Sequence, residues 1–129
     1  MQQITKHDAP VHCAHFPDSP AVTVLFGEDD SADIGMATVH IPAGAGMPPH
    51  RHNGSDVILT PISGAVQVTK GDEVIDVRPG DALLILKDET VALANPHEDP
   101  AELIVAAGPA SFLATIRKWP QVDTALVTR

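Results

Sequence analysis

Two imidazoles one residue apart are the groups of this chain best placed to do chemistry. In Gly44-Ala-Gly-Met-Pro-Pro-His50-Arg-His52, an extended strand would send both rings to one side, where they can reach one metal ion or one bound molecule. Arg51 would then face the other way, toward solvent or a carboxylate. Imidazole titrates near neutral pH, so His50 or His52 can also carry a proton as general acid or base. His40 lies in the preceding strand run and can line the same cavity. Asp81, within Pro79-Gly80-Asp81, sits in a turn, where its carboxylate is expected to accept hydrogen bonds from nearby backbone N–H groups. His12-Cys13-Ala14-His15 matches no closed zinc spacing, and Glu28-Asp29-Asp30 with Asp33 matches no calcium loop. The first reads as a packed or mobile N-terminal segment and the second as a solvated turn.

The elements that must hold these residues are short. Apolar or alternating runs recur at Ala21 to Phe26, Ile34 to Ile41, Asp56 to Ile62, Ala65 to Thr69, Glu73 to Val77, Ala82 to Leu86, Thr90 to Ala94 and Ala101 to Ala106. They are rich in Val and Ile and are separated by Gly, Pro, Asn and Asp, the pattern of an all-β sandwich or barrel. Lys70-Gly71-Asp72, between alternating runs, is the best hairpin candidate. Pro61 interrupts a run, where its missing N–H suits an edge or a bulge. Ser111 to Trp119 can form a helical turn or a last strand. Residues 1–20 read as an N-terminal segment, 21–118 as the barrel domain and 119–129 as a tail.

With 129 residues the chain makes one domain, burying roughly two thirds of its unfolded surface. Eight Lys plus Arg against seventeen Asp plus Glu give a net charge of -9, which opposes nucleic acid and anionic membranes as partners. A single cysteine and the lack of any apolar run of about 20 residues predict a cytoplasmic protein.

These residues resemble the cupin superfamily. Gly44, His50, His52 and Gly64 fall into its first motif, and Pro79, Gly80, Asp81 and Asn95 into its second. The resemblance implies a jelly-roll β-barrel, or double-stranded β-helix, and a pocket that in many members holds a divalent metal. The family's carboxylate falls on Val57 counting back from Gly64, or on Asp56 counting on from His52; its remaining histidine falls on Val91. One residue of register moves a strand side chain to the other face, so Asp56 and Val57 cannot both face the histidines without a bulge. The resemblance therefore implies either no metal or a weakly held divalent ion (Fe, Mn, Zn or Ni) on His50, His52 and Asp56, in a pocket that Val57, Val91 and His40 help to line.

Three functions follow from that resemblance. The first is a small-molecule-binding cupin, with isomerase, epimerase or cyclase chemistry carried by His50 or His52. The second is a metal-dependent, dioxygenase-like enzyme using His50, His52 and Asp56. The third is a non-catalytic ligand sensor or binding module. The resemblance also implies a homodimer joined through an outer sheet face, in keeping with apolar residues on both parities of Val57 to Ile62.

Overall fold

Val- and Ile-rich runs that alternate between faces bury one side of each strand, and two such sheets close a core between them. A computed structural model of the chain describes residues 1–123. Eleven strands form a seven-stranded sheet in the order β11-β1-β2-β3-β10-β5-β8 and a four-stranded sheet in the order β4-β9-β6-β7. The strands are β1 (Val11–Cys13), β2 (Ala21–Phe26), β3 (Gly35–Ile41), β4 (Gly46–His50), β5 (Asp56–Ser63), β6 (Val66–Lys70), β7 (Glu73–Val77), β8 (Leu83–Ile85), β9 (Val91–Ala94), β10 (Ala101–Gly108) and β11 (Gln121–Val122). Every pairing is antiparallel. The all-β, two-sheet architecture is the expected one.

The core is aliphatic. Ala37, Val39 and Ile41 of β3, Val57 and Leu59 of β5 and Leu103 of β10 meet Val66 and Val68 of β6, Val77 of β7 and Val91 of β9. Lys70 pairs with Glu73 across a two-residue turn in which Gly71 has φ +58°, a left-handed first position of the type II′ kind. Pro61 sits at a bulge, because β5 pairs with β10 as Leu103↔Pro61 and then Glu102↔Ser63, leaving Ile62 between. Gly64 takes φ +69°, and a Cβ there would collide with the Pro100 carbonyl oxygen, so only glycine fits this turn.

Three short elements add to the expected strands. Val11–Cys13 pairs with both β2 and Gln121–Val122, so the N-terminal segment and the start of the tail belong to the large sheet. His12 is buried there, its Nδ1 2.8 Å from the Trp119 carbonyl oxygen. The rest of the tail, 124–129, lies outside the described residues. Within Ser111 to Trp119 the chain forms a short helix, α1 (Phe112–Ile116), with Leu113 and Ile116 turned into the core. Among the described residues, no helix is long and apolar enough to cross a membrane.

Candidate binding cavity and its histidine pair

Between the two sheets lies a cavity of about 240 Å³. Val39, Val57, Leu59, Ile85, Leu103 and Val105 form its large-sheet wall, and Met47, Val68, Val91 and Leu93 its small-sheet wall. Phe112, Leu113, Ile116 and Trp119, on and just after α1, add a third side. The polar side chains on the wall are His50, Arg51, His52 and Thr115.

His50 ends β4, and His52 lies two residues further on, before the turn at Asn53 and Gly54. Their rings meet edge to face with centroids 4.9 Å apart, and Phe112 meets His52 in the same way at 4.8 Å. Ser55 fixes this corner from outside the cavity. Its hydroxyl donates to the Pro109 carbonyl oxygen at 2.6 Å and accepts from the Phe112 N–H at 3.3 Å, tying the loop after His52 to the start of α1.

The two imidazoles differ in environment. His50 Nδ1 lies 2.9 Å from the Pro48 carbonyl oxygen. A carbonyl can only accept, so Nδ1 carries a proton, and in the neutral imidazole the lone pair is at Nε2. His52 is only 6% exposed, and its Nδ1 is buried with no hydrogen-bond partner among the described residues. Burial, and to a lesser degree the charge of His50 when it is protonated, push the His52 pKa down to about 4. His52 is therefore neutral at pH 7.

The structure brings His50, His52, Val57 and Val91 to the same cavity, Val57 from the large sheet and Val91 from the small one, and leaves out two expected members. Asp56 faces away: it is exposed, and its Oδ1 accepts from the Lys87 N–H at 2.9 Å. Strand alternation leaves buried Val57 facing inward, so Asp56 cannot complete a two-His-one-carboxylate set. His40 also faces out. It alternates with the cavity residues Ala37 and Val39 and pairs through Nδ1 with Glu102, which Lys6 approaches at 3.8 Å. Arg51 is displaced in the opposite sense. Regular strand ends at His50, so alternation no longer holds, and Arg51 reaches the cavity rim while its Nε donates to the Thr90 hydroxyl at 2.9 Å.

Other motif residues are structural. Asp81 accepts from the Arg78 N–H at 3.0 Å, as expected for its turn. Asn95 is fully buried: its side-chain amide donates to the carbonyl oxygens of Ile41 and Asp99, and its Oδ1 accepts from the His97 N–H. His97 lies 3.6 Å from Asp76 and does not reach the cavity. Among the cavity residues that the sequence did not single out are those on and beside α1. Their signal was the spacing Phe112, Leu113, Ile116, Trp119, which puts four large side chains along one side of a short helix.

The cupin domain family profile matches residues 37–107, more than half of the 129-residue chain. The chain belongs to the cupin family. No curated protein sequence matches it. Solved structures share its fold at low identity. KdgF from Halomonas sp. is 20% identical with a TM-score of 0.70, the match covering 84% of this chain and 94% of that one. The polyketide cyclase RemF from Streptomyces resistomycificus is 18% identical with a TM-score of 0.71, covering 84% and 79%. A double-stranded β-helix protein from Klebsiella pneumoniae is 14% identical with a TM-score of 0.68, covering 96% and 99%.

Divalent metals are common in this family, but this donor set does not fit one. Sites for first-row ions generally offer three or four N, O or S donors. Among the described residues, no group of three His, Cys, Asp or Glu side chains could hold an ion. Val57 and Val91 present methyl groups where two further donors would stand.

Proposed function

We propose that this cupin binds a small organic molecule in the cavity between its sheets and catalyses a proton transfer on it, of the isomerase, epimerase or cyclase kind. The observation that carries this reading is His50: its Nδ1–H is committed to the Pro48 carbonyl, leaving the Nε2 of the neutral ring as a proton acceptor on a largely aliphatic wall. His52, held neutral, is the supporting neighbour rather than the proton carrier. It packs against His50 and Phe112 and fixes where a bound molecule can lie. RemF, a polyketide cyclase of the same fold, is a precedent for cyclisation in such a barrel. The dioxygenase-like alternative has less support, since it relied on the Asp56 carboxylate.

The test starts from binders found by thermal shift in a compound library. Each is incubated with the protein in D2O. The expected result is deuterium at a carbon of at least one bound compound, with exchange slowed about 10²- to 10⁴-fold by His50→Gln when the compound saturates both proteins. Binding without exchange in the wild-type protein would make the chain a sensor or carrier instead.

We further propose that the partner of this chain is a second copy. The support is an apolar row running across the outer face of the large sheet in register, Met36 beside Ala106, Ala106 beside Ile58 and Ile58 beside Leu84. Ile58 is 47% exposed and Leu84 59%, an unusual display for mid-sheet aliphatic residues.

A further inference from the structure

The wall of the cavity also limits what can enter it. Its volume of about 240 Å³ exceeds the roughly 150 Å³ that accommodates benzene in an engineered protein cavity, so one ring with substituents, or two small fused rings, can be enclosed. Among the described residues no carboxylate lines it, so a buried ammonium would lack a counter-charge there. Among the described residues its one permanent cation is Arg51, which is exposed at the rim and donates its Nε–H to the Thr90 hydroxyl. An anion deep in the cavity would be equally uncompensated. Besides the exposed Arg51 and Thr115 and the Trp119 indole N–H, the polar groups on its wall are the imidazoles: neutral His50 offers a lone pair at Nε2, and His52 is buried with Nδ1 unpartnered among the described residues. Edge-to-face contacts along His50, His52 and Phe112 add a ring-lined surface beside them.

Resting on the cavity reading above, we infer that the ligand is a neutral, ring-sized compound bearing a hydroxyl group, with its ring against the aliphatic walls and its O–H donated to the histidine pair. The hydroxyl supplies a donor to a histidine pair whose buried His52 Nδ1 has no partner among the described residues, and the apolar ring is taken out of water. The class includes phenols, enols and alicyclic alcohols, and it excludes carboxylates and amines that would be charged at pH 7.

The test is calorimetric titration of the full chain, treated with chelator, with three probes of similar size: toluene, phenol and benzoate. Phenol is expected to bind at one per chain and at least tenfold more tightly than the other two. His50→Leu should reduce the phenol-to-toluene preference below about threefold while toluene still binds, and toluene binding itself reports that the variant is folded. His52→Leu, tested in parallel, should also diminish the preference. Equal affinity for phenol and toluene in the wild-type chain would overturn the hydroxyl assignment but leave the cavity reading standing. Tightest binding of benzoate would overturn neutrality and assign an anion to Arg51. Failure of all three to bind at millimolar concentration would overturn the cavity reading itself.

Discussion

His50 and Val91 are cross-strand partners on β4 and β9, so a histidine in place of Val91 would set a third imidazole beside the first. Val91→His should therefore tighten Zn²⁺ binding at least tenfold over the wild-type chain, measured by competition with a chromophoric chelator; unchanged affinity would mean that the wild-type donors already suffice. His52 makes a separate prediction about pH. It titrates near 6.5 in the unfolded chain and about 4 in the folded one, so between those values the unfolded chain holds more protons. Stability is accordingly constant from this source above pH 6.5 and falls as pH drops toward 4. The loss is on the order of 2 kcal/mol once water at the cavity mouth is allowed for. Urea midpoints at pH 7 and pH 4.5 should differ more in the wild-type chain than in His52→Leu. At this scale the histidine pair was legible in the sequence, because its spacing is local. Asp56 against Val57 was not, since two counts differing by one residue point to opposite faces of a strand. Arg51 was misplaced for a related reason: alternation was carried past the end of β4.

The short helix after β10 decides whether the cavity is closed on its third side. Leu113 is fully buried between α1 and the strands, and Leu113→Ala should cost about 2–5 kcal/mol, read from the denaturation midpoint. Phe112 is only partly buried and touches His52 by its ring. Phe112→Ala should leave the fold intact and weaken ring-compound binding several-fold, checked by the same calorimetry; unchanged binding would remove α1 from the site. Most strands were legible from alternation and turn residues, including the hairpin at Gly71 and the bulge that accommodates Pro61. The helix was not resolved from a strand because a five-residue element completes little more than one turn, too short for its period to stand out. The three-residue β1 and two-residue β11 are shorter still, and pairing across more than a hundred residues leaves no local trace.

Across the whole molecule, the two sheets turn one face to the cavity and the other outward. The large sheet displays the Met36, Ala106, Ile58 and Leu84 row on its outer face, with the exposed Asp56 beside it. If a second copy covers that row, Ile58→Asp with Leu84→Asp should convert a dimer to a monomer in sedimentation equilibrium, with the cavity and its ligand preference unaffected; an unchanged mass would place any dimer contact elsewhere. The sequence carried the apolar residues of both parities but not their exposure, which depends on what packs against the sheet. The central claim, that the space between the sheets takes a small ring compound without a metal, has a built-in reporter. Trp119 is the single tryptophan of the chain and lines the cavity. Titrating phenol into chelator-treated protein while exciting Trp119 selectively should give a saturable change in its emission at one equivalent per chain. Emission that stays constant, or that responds only after a divalent metal is added, would contradict the account.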